Sequence, residues 1–124
     1  MELKDLVGFQ IVRLDDESMT VKKNGKEHLL TFAEDYGDCC GYTNVKNSLF
    51  FDPNITKRNP VIVNVEYSDE GKECESRIRI TFFGAHKKLA EIEAEAGSGS
   101  GWNYGANVVV ACVSLGLTEE IVRY

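Results

Sequence analysis

No run of about 18 apolar residues occurs in this chain, and no basic segment leading into an apolar stretch follows Met1-Glu2-Leu3-Lys4-Asp5-Leu6. The sequence therefore predicts neither a membrane span nor a secretory signal, and a protein that stays soluble in the cytoplasm. Basic residues are also in short supply. Fourteen Lys and Arg stand against 20 Asp and Glu, for a formal charge of −6 and a pI near 4.9. Binding that works by neutralising phosphates needs the opposite balance, so direct DNA binding is not expected. An acidic surface serves solubility or complements a basic groove on a partner. Cys39, Cys40, Cys74 and Cys112 lack the paired Cys-x-x-Cys spacing of a zinc site, and the only histidines are His28 and His86. No metal and no cofactor are expected. In a reducing compartment free thiols are the default, and the Asn54-Ile55-Thr56 sequon carries no meaning.

What the chain does contain is period-two alternation. At 124 residues it fits one domain, 1–124, since compact domains run to roughly 100–150 residues. Leu3 to Val7 reads as a helical turn, Phe9 to Leu14 as a strand and Asp15-Asp16-Glu17 as a turn. Met19–Lys23 and His28–Phe32 flank Asn24-Gly25, a pair suited to tight hairpins because both positions tolerate positive φ. From Ala33 to Asn59 glycines, Pro53, Asp and Asn interrupt the pattern. Only Val45 to Phe51 remains there as an element, and the segment reads as an irregular insert. Val61–Tyr67 and Arg77–Phe83 form a second hairpin, and Gly84–Lys87 leads into a strand at Leu89–Glu95. Asn107–Val113 is β-branched enough for a central strand, and Thr118-Glu119-Glu120 reads as the cap of a short C-terminal turn. The expected fold is mainly β: a curved antiparallel sheet, roll or partial barrel of six to seven strands.

Chemistry has few places to reside. Gly97 to Gly105, with Trp102, Asn103 and Tyr104, is glycine-rich enough to cradle an anion, but it lacks the Gly-Lys-Ser/Thr ending and the following helix of a phosphate loop. Trp102 and Tyr104 either fold back onto the sheet or present an aromatic contact surface. Glu91, Glu93 and Glu95 would project from one strand face, towards solvent or as a phosphate-like row for a basic partner. Arg77 and Arg79 share a face that can meet this row across a hairpin. Arg58, in a small basic cluster with Lys46 and Lys57, could pair with a ligand phosphate. Cys39 or Cys40 would act as a nucleophile only beside a base such as His28 or His86.

The stretches Asp35-Tyr36-Gly37-Asp38-Cys39-Cys40-Gly41-Tyr42, Asn59-Pro60-Val61-Ile62, Ile80-Thr81-Phe82-Phe83-Gly84 and Leu89 to Gly105, with its Gly-Ser-Gly-Ser-Gly-Trp core, carry a resemblance over most of the chain. Leu6-Val7-Gly8 adds a weaker match. The chain resembles a family of small uncharacterised proteins encoded by phages and prophages of Gram-positive bacteria. The resemblance implies phage origin and brings no catalytic residues with it. By analogy with small acidic phage proteins, it points to a non-enzymatic counter-defence inhibitor that binds a bacterial protein, as anti-CRISPR proteins do. The alternatives are a sponge for a cyclic nucleotide or ADP-ribose signal held between subunits of a homo-oligomer, contacted by Arg58, Tyr42 and the aromatic loop, and a cysteine-dependent enzyme.

Overall fold

Alternation of apolar and polar residues buries one face of each strand. The computed structural model, which describes residues 1–36, 41–52, 54, 60–71, 75–98 and 105–124, contains nine strands among those residues. They are β1 (Gln10–Leu14), β2 (Ser18–Lys23), β3 (Lys26–Tyr36), β4 (Gly41–Leu49), β5 (Asn64–Asp69), β6 (Glu75–Phe83), β7 (Lys88–Ser98), β8 (Ala106–Cys112) and β9 (Leu117–Arg123). All pair antiparallel, in a five-stranded sheet of order β1-β2-β3-β8-β9 and a four-stranded sheet of order β4-β7-β6-β5. The mainly-β, antiparallel expectation holds. The strands number nine rather than six to seven, and they divide between two sheets instead of curling into one roll or barrel.

The inward residues make one core. Ile11, Met19, Val21, Leu30, Val108 and Val110 bury from the first sheet, and Ile80, Phe82, Ile92 and Ala94 from the second. Across the β6/β7 pair Phe82 lies beside Ala90 and Ile78 beside Ala94, with Ile80 beside Ile92 between them. Asn24 and Gly25 both take positive φ, 53° and 78°, which turns β2 into β3 as a two-residue hairpin of the expected kind. A 3-10 turn at Leu3–Leu6 buries both of its leucines completely. The backbone N–H of Leu3 donates to Glu119 of β9 at 2.7 Å.

Two expectations are overturned. Within the segment read as an insert, the described residues up to Tyr36 continue β3, and Gly41–Leu49 form β4, paired with β7 from Gly41↔Ser98 to Leu49↔Ala90; residues 37–40, 53 and 55–59 lie outside the described residues. The Gly, Asn, Lys and Ser residues of β4 have poor strand propensity, but continuous backbone pairing and the buried Val45 outweigh them. Residues 118–120 form no capped turn; they lie within β9. A register shift between Val108 and Val109 lets the consecutive Ile121 and Val122 both bury, which erases the alternation that would have marked the strand.

The segment at Val61–Val63 joins the sheets. Gly8 donates to the Ile62 carbonyl and Ile62 to the Phe9 carbonyl, each at 2.8 Å, while Val63 donates to Phe83 on the other sheet, also at 2.8 Å. No described helix is long and apolar enough to cross a membrane.

Candidate functional site

Because Ala90, Ile92 and Ala94 point inward, Glu91, Glu93 and Glu95 must point out from the four-stranded sheet. The β6/β7 register sets Arg77 opposite Glu95 and Arg79 opposite Glu93. Arg77 Nη2 lies 2.7 Å from Glu95 Oε2 and 3.2 Å from Glu75 Oε1. Arg79 Nη2 lies 3.4 Å from Glu93 and 3.3 Å from Glu70. Its Nε sits 3.2 Å from Glu91 as a Coulombic contact with no directed hydrogen bond. Lys88 Nζ adds a contact to Glu91 at 3.7 Å. The hydrogen bond that Arg77 donates to Glu95, followed by the charge of Glu75, raises the Arg77 pKa. The cross-strand pairing read from the sequence is present, and it gives each glutamate of the row a cationic neighbour on its own sheet.

Tyr42 lies on the same face, where its hydroxyl donates to Glu75 Oε2 at 2.9 Å. Burial, then this hydrogen bond, pushes the phenol pKa upward. The hydroxyl is thus already engaged with a carboxylate, and Glu75 and Glu95 make its surroundings unfavourable to a phosphate.

The registers Tyr36↔Ala106, Gly41↔Ser98 and Glu75↔Gly97 bring several strand ends to one end of the molecule. A cleft of about 430 Å³ opens there, lined among the described residues by Asp35, Gly105, Ala106, Asn107, Glu120, Arg123 and Tyr124. Its volume falls within the usual range for binding sites. Strand pairing sets Asp35, Asn107 and Arg123 side by side across β3, β8 and β9. Asn107 Nδ2 donates to Glu120 Oε2 at 2.9 Å, which fixes that carboxylate at the wall. Asp35 carries no ion pair among the described residues. Sequence reasoning missed this site because its members sit on three strands, one of them read as a turn. The available signal was the acidic Glu34-Asp35 at the end of an alternating run.

At the opposite end, His28 Nδ1 lies 2.7 Å from Ser114 Oγ, which lies 3.4 Å from Cys112 Sγ. Cys112 is a buried free thiol. Arg58, Cys39, Cys40, Cys74, Trp102, Asn103 and Tyr104 lie outside the described residues. No cluster able to hold a metal ion occurs among the described residues. No family model, curated protein or solved structure matches the chain, so functional argument rests on these arrangements.

Proposed function

We propose that this chain is a protein-binding module, a phage accessory protein of the kind its resemblance implies, which counters a host process by holding a bacterial protein in the host cytoplasm. The acidic cleft at the end of the sandwich is the observation that carries the reading. Arg77, Arg79 and Lys88 give each glutamate of the row a cationic neighbour, whereas Asp35, which carries no ion pair among the described residues, faces an open cleft with Glu120, where Arg123 is the one cation among the described lining residues. Such a cleft suits a Lys or Arg side chain from a partner: the carboxylates take the cation, and Arg123 takes a neighbouring backbone carbonyl.

The test compares the native chain with Asp35→Lys/Glu120→Lys as bait in host lysate at two salt concentrations, followed by calorimetric titration of the purified partner. A partner held at low salt by the native chain alone, with affinity at least ten-fold weaker for the variant, is the expected result. A partner held equally by both baits removes the cleft from the reading. Strong stabilisation of the fold by one member of a panel of nucleotide signals would replace it with the sponge reading.

A further inference from the structure

The geometry points to Ser114 as a nucleophile, activated by His28, that accepts an acyl group from an apolar ester. Three observations converge at the β2–β3 hairpin end of the molecule, away from the acidic cleft. First, Ser114 occupies an exposed 3-10 turn, Val113–Leu115, that leaves the end of β8 and closes at Gly116 in the left-handed region with φ 63°. The resulting Cys112-Val113-Ser114-Leu115-Gly116 places the serine on a sharp turn after a strand, with glycine two residues on. That turn holds the hydroxyl out at the end of the sheet, where an electrophile can approach it.

Second, the hydroxyl is already aligned with a base. Ser114 Oγ stands 2.7 Å from Nδ1 of His28, and His28 is only 8% exposed, held by the β2/β3 pairing and by the edge-on ring of Phe9 at 6.1 Å between centroids. With the ring proton on Nε2, Nδ1 accepts the hydroxyl proton as the nucleophile attacks. Cys112 Sγ lies 3.4 Å from the same oxygen and can donate to its second lone pair.

Third, the turn is flanked by apolar surface that the core does not use. Val113 is 99% exposed and Leu29 is 56% exposed. Leu29 follows His28 and Val113 precedes Ser114 in sequence, so the two flank the 2.7 Å contact between those residues. They form the surface against which an acyl chain would lie. In the reaction Ser114 Oγ bonds to the ester carbonyl carbon as its proton passes to His28 Nδ1. The carbon–alkoxide bond then breaks, and the alcohol leaves with that proton. Water subsequently attacks the acyl-serine, returning the carboxylic acid and the serine hydroxyl.

The test labels the folded full-length chain with alkyl fluorophosphonates of two and ten carbons and maps the adduct by peptide mass spectrometry. One phosphonyl group on Ser114 is expected, with fluoride displaced, no label in Ser114→Ala, and labelling slowed at least ten-fold in His28→Gln. Replacing the exposed Leu29 and Val113 by Asp should slow the ten-carbon probe several-fold more than the two-carbon probe; this comparison does not depend on His28→Gln folding. Failure to label Ser114 faster than in the heat-unfolded chain, or equal loss of both probes in the Asp variant, overturns the proposal. Neither outcome bears on partner capture by the acidic cleft, which lies at the other end.

Discussion

A single carboxylate, Glu119, accepts the Leu3 N–H at 2.7 Å and the Tyr67 hydroxyl at 3.0 and 2.9 Å, and so ties the buried N-terminal turn to β5 and β9. Charge-assisted hydrogen bonds of this kind are worth about twice neutral ones, so Glu119→Ala should cost about 2 kcal/mol in urea denaturation and Tyr67→Phe about 1 kcal/mol. Burial, then the bond to Glu119, raises the Tyr67 phenol pKa well beyond its usual range. The stabilisation from this group is complete below the unfolded phenol pKa of about 10 and disappears as pH rises towards the folded value. Unfolding free energy should therefore decline on the alkaline side, and decline less in Tyr67→Phe. Asp15 works in the other direction. Its carboxylate accepts the backbone N–H groups of Glu17 and Ser18 at 2.8 Å, and these bonds depress its pKa. Its contribution is full above the unfolded value of about 3.9 and is lost as pH falls through the folded one, so Asp15→Asn should flatten the acid limb of the stability profile. The Asp15 turn could be read from three consecutive acidic residues. The role of Glu119 could not, because its partner Leu3 is 116 residues away in sequence.

Legibility among the elements followed how much of each strand's stability is local. The β2–β3 hairpin was readable because Asn24-Gly25 meets the backbone demand of the turn by itself. Gly25→Ala, forced to keep φ near 78°, should lose about 1 kcal/mol by thermal or urea unfolding. β4 was half legible: the element read at Val45–Phe51 overlaps it, but its first residues, Gly41–Asn44, were missed because its inner face offers only one buried residue, Val45, and its order comes from β7, more than forty positions away. β9 was hidden by a register irregularity that places two apolar residues consecutively inside. The Arg–Glu ladder was readable from alternation alone, since period two on both strands fixes which charges meet. A double-mutant cycle on Arg77 and Glu95 should give a small favourable coupling that shrinks as salt is added, in keeping with a partly exposed pair.

For the molecule as a whole, composition foretold an acidic, strand-rich domain but not how its charge is distributed. The acidic cleft became visible only when three strands from separate parts of the chain were assembled into one sheet. The stitch at Val61–Val63 has a further consequence at this scale, for it makes the two sheets a single unit in the language of hydrogen exchange. The amides of Gly8 and Ile62 are bonded along the edge of one sheet and that of Val63 to the other. The layers cannot part at this segment without freeing either the amides of Gly8 and Ile62 or that of Val63. Under native conditions with fast reclosing, the three should exchange with a common opening free energy close to that of global unfolding. An Ile62→Ala variant should lower all three in step, and divergence of Val63 from the other two would show that the sheets open independently.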